Sequence, residues 1–114
     1  LGTIDAFEAM LARGQDSALL RYSLGSEYLK QGDLSRATEH LLEAVRKDPG
    51  YSAAWKVYGR TLSEAGRHQD AIDALNRGIQ TAEAKGDVQA AKEMRVFLKR
   101  AEKAMGGGTD APEP

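Results

Sequence analysis

Between residues 18 and 83 the apolar and small positions run through the same order twice. Arg21-x-x-Leu24-Gly25-x-x-Tyr28 returns 34 residues later as Trp55-x-x-Tyr58-Gly59-x-x-Leu62. Behind it, Gly32 returns as Gly66, Ala37 as Ala71, Leu41 as Leu75 and Ala44 as Gly78. A repeat of this length marks a unit of two helices that cannot bury its apolar face alone and must stack on a neighbour. The spacing within each half predicts helices over 17–30 and 34–47, then 51–65 and 69–84. Asp16 or Ser17 and Asp33 are placed to cap helix starts. Gly32 and Gly66 fall at the turns, and Asp48-Pro49-Gly50 breaks the chain between the halves.

Two flanking segments carry helical spacing of their own. Ile4, Phe7, Met10 and Leu11 predict a short helix over 4–13, with Thr3 as its cap and Gly14 as its stop. After Gly86-Asp87, the positions Val88, Ala91, Met94, Leu98, Ala101 and Met105 predict a last helix over 88–105. Lys92, Arg95, Lys99, Arg100 and Lys103 take its other side, as expected of a helix that closes a stack with one wet face. Residues 1–105 are expected to form one helical domain, and 106–114, from Gly106 to Pro114, a disordered tail.

Gly25 and Gly59 sit inside helices, where glycine costs about 1 kcal/mol relative to alanine. Accepting that cost twice at one phase implies a close approach of the paired helix, with Ala37 and Ala44, then Ala71 and Gly78, expected opposite. Leu24, Tyr28, Leu41, Trp55, Tyr58, Leu62 and Leu75 are the expected core.

These units resemble the tetratricopeptide repeat, whose pattern is W-x2-L-G-x2-Y, then A-x3-F, then P. Unit one, about 18–51, matches at Leu24, Gly25, Tyr28, Ala37, Ala44 and Pro49, and departs at Arg21 where the tryptophan would stand. Unit two, about 52–85, matches at Trp55, Gly59 and Ala71, and departs at Tyr58, Leu62, Gly78 and Glu83. Leu41 and Leu75 take the phenylalanine place, and the missing proline at Glu83 predicts a second helix that runs on past the usual end. The resemblance implies an all-α fold of antiparallel helix-turn-helix repeats, an α-α superhelix with a C-terminal capping helix. It also implies a function: binding a peptide or protein segment in the concave groove, without catalysis.

In the family the leading helices line that groove. The matching positions are Leu19, Tyr22, Ser26, Leu29 and Lys30 in unit one, and Ala53, Lys56, Arg60, Ser63 and Glu64 in unit two. An apolar half beside a basic half suits a segment with one hydrophobic anchor and one acidic group. Alternatively Leu19, Tyr22 and Leu29 pack against segment 4–13. Family members that clamp a C-terminal carboxylate use lysine and asparagine where Tyr22, Ser26 and Val57 stand here, so that variant is not expected. A competing reading is a self-associating scaffold subunit, with a monomer or weak homodimer as the expected state.

Composition narrows the rest. Charged residues make up 29 % of the 114 residues and nearly cancel, for a net charge of −1, which gives no drive toward nucleic acid or an anionic membrane. Cysteine is absent, which removes disulfides and thiolate chemistry. No apolar run reaches the ~20 residues of a membrane span, and a cytoplasmic location is the default. His40, inside a helix, and His68, in a turn, have no second ligand at i+4 and are expected to be solvent-exposed. Glu39 with Glu43 and Asp70 with Asp73 read as surface pairs. No cofactor, metal or catalytic residue is expected.

Overall fold

The computed structural model describes residues 2–106. They form six helices: α1 (Thr3–Ala12), α2 (Ala18–Lys30), α3 (Leu34–Lys47), α4 (Ser52–Glu64), α5 (His68–Lys85) and α6 (Val88–Gly106). Gly106 closes α6, so the expected tail falls, from residue 107 on, outside the described residues.

The starts of α2, α3 and α6 are set by side chains that replace missing backbone partners. Ser17 Oγ accepts from the Leu20 N–H at 3.1 Å, Asp33 Oδ1 from the Arg36 N–H at 3.1 Å, and Asp87 Oδ1 from the Ala90 N–H at 3.1 Å. Thr3 is not a cap: Gly2 holds that place, and its N–H donates to Asp5 Oδ2 at 3.3 Å. Gly32 and Gly66 both take φ +79°, which turns the chain out of α2 and α4 by the same device. In each turn the residue after the glycine donates its N–H back into the last helical turn, Asp33 to Tyr28 O and Arg67 to Leu62 O. Without a proline near Glu83, α5 continues to Lys85, and α6 follows after only two residues.

The pairs α2–α3 and α4–α5 pack as hairpins, and α4 touches both α2 and α6, so the leading helices lie side by side. The stack measures 59 × 30 × 18 Å. One core cluster joins Leu20, Leu24, Tyr28, Ala37 and Leu41, with Ile4, Phe7, Met10 and Leu11 of α1 laid against it. The other runs from Ala44 and Val45 through Trp55, Leu62 and Leu75 to Met94 and Ala101, and Tyr22 and Tyr58 touch both clusters.

The seam at Gly25 and Gly59 is as close as expected, but the side chains opposite are different. A Cβ on Gly25 would overlap Leu41, and one on Gly59 would overlap Leu75. The alanines do not fill these gaps; the leucines at the phenylalanine place lie directly on the bare backbone. Gly78 has its own reason. A Cβ there would collide with Met94 of α6 and come within 2.7 Å of Trp55 Cβ. Residue 78 is therefore pressed from two helices at once. Phe7 stands 34 residues before Leu41, in step with Leu41 and Leu75, and α1 lies on α2 as the second helix of a preceding unit would.

Gly25, Gly59 and Arg95 are each the eighth residue of their helix, so α6 is a third leading helix with an arginine at the glycine place. Its buried residues are Ala90, Ala91, Met94 and Ala101, with Leu98 half-buried on the core, so the middle of the expected stripe faces inward and only its two ends do not. Val88 and Met105 are 67 % and 52 % exposed, because α6 packs against both α5 and α4 and turns Ala90 and Phe97 toward them.

Candidate functional site

On the side lined by the leading helices, α4 and α6 part to leave a cavity of about 300 Å³. Val57, Val96 and Phe97 supply apolar surface, and Lys56, Arg60, Glu93 and Arg100 supply charge. A second hollow of about 270 Å³ adjoins it, bounded by Arg60, Ser63, Glu64, Phe97 and Arg100. Arg60, Phe97 and Arg100 are common to both and form the ridge between them.

The charges are partly spent on each other. Lys56 Nζ donates to Glu93 Oε1 at 2.6 Å across the cleft, and Gln89 Nε2 donates to the other carboxylate oxygen at 3.2 Å. The Lys56 contact, more than that of Gln89, holds the Glu93 carboxyl below its ordinary range. Arg60 Nε donates to Glu64 Oε2 at 2.8 Å, one helical turn on. Arg100 lies over the Phe97 ring, 5.7 Å from its centroid.

The sequence-predicted groove residues are thus divided. Lys56, Arg60, Ser63 and Glu64 line the cleft. Ala53 is half-buried one turn earlier on α4. In unit one, Tyr22 is half-buried with its ring centroid 5.0 Å from that of Tyr51, and Leu29 packs on the first core cluster. Lys30 pairs with Glu27 at 3.0 Å. Ser26 Oγ is buried with no hydrogen-bond partner among the described residues. Leu19 is 64 % exposed, so segment 4–13 does not cover it. That segment lies on the first core cluster, not in the cleft between α4 and α6.

Val57, Glu93, Val96, Phe97 and Arg100 line the cleft and were not placed in the groove by sequence reasoning. A usable signal was present. Counting α6 from Val88 as α4 is counted from Ser52 puts Val96 and Arg100 at the ninth and thirteenth places, which are groove places in the earlier units.

A separate polar constellation binds α1, α2 and α3 together. Arg21 reaches Asp16 with two N–H groups, at 2.7 and 2.9 Å, and its Nη1 lies 3.2 Å from His40 Nδ1. Arg21 holds the Asp16 carboxyl down at about 2. His40 stacks on Tyr28 at 5.5 Å between centroids, and the Tyr28 hydroxyl donates to Glu8 Oε2 at 2.5 Å. His40 Nε2 is 3.7 Å from that same oxygen. His40 is therefore not solvent-exposed as expected: it is 8 % exposed, and burial pushes its pKa down. Asp16 and His40 together hold Arg21 where unit two has Trp55, whose Nε1 donates to the Pro49 carbonyl at 2.8 Å. His68 also departs from expectation, opening α5 half-buried rather than lying in a turn. The carboxylates at 43, 70 and 73 are held by Arg46, Arg67 and Gln69 on their own surfaces.

The matches to known proteins follow the same architecture. A family model described as tetratricopeptide repeat matches residues 22–88. The TPR repeat-containing protein PA0015 of Pseudomonas aeruginosa is 48 % identical over 101 residues, 89 % of this chain and 96 % of that protein. The solution structure of protein BPP2914 from Bordetella parapertussis is 40 % identical with a TM-score of 0.78, covering 92 % of this chain and 93 % of that one. The crystal structure of a tetratricopeptide repeat domain protein from Salinibacter ruber is 31 % identical with a TM-score of 0.70, covering 76 % of this chain and 97 % of that one. With most of both units inside the matched stretch, the chain belongs to the tetratricopeptide repeat family.

Proposed function

We propose that this protein is a non-catalytic interaction module that holds a segment of a partner protein in the cleft between α4 and α6. The observation that carries the reading is the cavity of about 300 Å³, apolar at Val57, Val96 and Phe97 and ringed by charge. Small apolar hollows with a few placed polar groups are where an anchoring side chain is held. Membership of the family supports a protein partner. The test is affinity capture from an extract of the source cells, with the wild-type chain and a Lys56→Glu/Val96→Ser variant as baits. A partner retained by the wild type and lost by the variant is expected. An identical set on both baits overturns the cleft as the binding site.

Self-association is the second reading, favoured by the exposed Val88 and Met105 at the ends of α6. Light scattering separates the two: a mass that rises with concentration, and falls back in Val88→Ser/Met105→Ser, supports this one.

A further inference from the structure

Five charged groups border the two hollows, and their pairing decides what the cleft can receive. Lys56 is matched by Glu93 and Arg60 by Glu64. Three cations against two carboxylates leave one positive charge, and the pairing leaves it on Arg100. Among the described residues Arg100 has no carboxylate partner; its contact is the face of Phe97. A ring face restrains a guanidinium without occupying the N–H donors that a carboxylate needs. Arg100 also stands on the ridge shared by the apolar hollow and the more polar one.

From this we infer that the partner segment is an acidic-apolar one. A bulky aliphatic or aromatic side chain enters the hollow at Val57, Val96 and Phe97, and a neighbouring aspartate or glutamate binds Arg100. The specificity for acid then resides on α6, not on Lys56 and Arg60, which the sequence pattern singles out. A carboxylate arriving at Arg60 or Lys56 meets the negative charge already held there by Glu64 or Glu93, whereas at Arg100 it meets none. This inference rests on the cleft being the binding site.

The experiment selects 12-residue peptides from a random display library on the full chain, then measures the enriched peptide by fluorescence anisotropy. A second version of that peptide has its acidic residue changed to the amide. The wild-type chain is expected to bind the amide version about tenfold more weakly. Arg100→Gln, a substitution at an exposed residue, is expected to bind both versions alike. Enriched peptides without an acidic residue, or an acid preference that survives in Arg100→Gln, overturn the inference. Both leave the cleft reading standing if Val96→Ser weakens binding. If Val96→Ser binds as the wild type does, the cleft reading itself falls. A library that yields no binder counts against both.

Discussion

Arg21 Nη1 lies 3.2 Å from His40 Nδ1, and because a guanidinium only donates, this contact makes Nδ1 the acceptor and His40 the neutral, Nε2-protonated tautomer. Glu8 from α1, Arg21 and Tyr28 from α2, Asp16 from the linker and Glu39 from α3 all face or surround the ring. Burial dominates, so the folded pKa lies below the ordinary 6.5. Below 6.5 the unfolded chain binds more protons than the folded one, and stability falls as pH drops toward the folded pKa. Melting curves from pH 7.5 down to 5 are expected to show this loss in the wild type and a flatter profile in His40→Gln. Parallel profiles would contradict the assignment.

Asp16 gives a dependence of the same sign at lower pH. Its pKa is lowered from 3.8 to about 2, chiefly by the hydrogen bond from Arg21. The stabilisation is full above 3.8 and disappears as pH falls through about 2. Asp16→Asn is expected to reduce stability at pH 6 and to match the wild type near pH 2. A difference that persists unchanged at acid pH would show that the carboxylate charge is not what matters.

Helix α1 has no fully buried residue and is held by four half-buried apolar side chains and by Glu8. The Tyr28–Glu8 hydrogen bond, at 2.5 Å and to an ionised acceptor, is its most specific tie. Tyr28→Phe should cost about 1.5–3 kcal/mol, the range for a hydrogen bond to a charged group. Hydrogen exchange is the sharper readout: amides of residues 6–12 are expected to exchange faster in Tyr28→Phe while those of α4 and α5 do not change. Uniform acceleration would mean that α1 opens only with the whole stack.

At Gly59 a methyl group gains helix propensity of about 1 kcal/mol and meets Leu75. Overlap with the Cγ branch of a fully buried leucine should outweigh that gain, leaving Gly59→Ala net destabilised by about 1–2 kcal/mol. The two sites are coupled, so adding Gly59→Ala to Leu75→Ala should cost nothing or restore stability. Urea denaturation of the four proteins closes the cycle, and strict additivity would rule out the contact.

Local rules carried the sequence reading a long way. Asp33, Gly32, Gly66 and Asp87 act on their own neighbours, and the helix bounds they imply are those observed within one or two residues. His40 was not legible because the groups that bury it come from three other segments, with Glu8 standing 32 residues away. The cleft was half legible for a similar reason. Lys56 and Arg60 lie inside the repeated pattern, while Phe97 and Arg100 lie on a helix whose glycine place holds Arg95 and whose counterparts come 36 residues after those of α4 instead of 34. The extended α5 causes that slip, and a fixed period does not survive it.

Arg95 has a consequence for anyone wishing to lengthen the molecule. Each earlier hairpin closes because a leucine can rest on bare peptide, and at α6 a long charged side chain engages Glu83 instead. Grafting a partner helix for α6 behind residue 106 should therefore fail with Arg95 in place and succeed once it is replaced by glycine, as amide protection in the graft would reveal. One side chain thus decides whether α6 can take a following helix in the way α2 and α4 do.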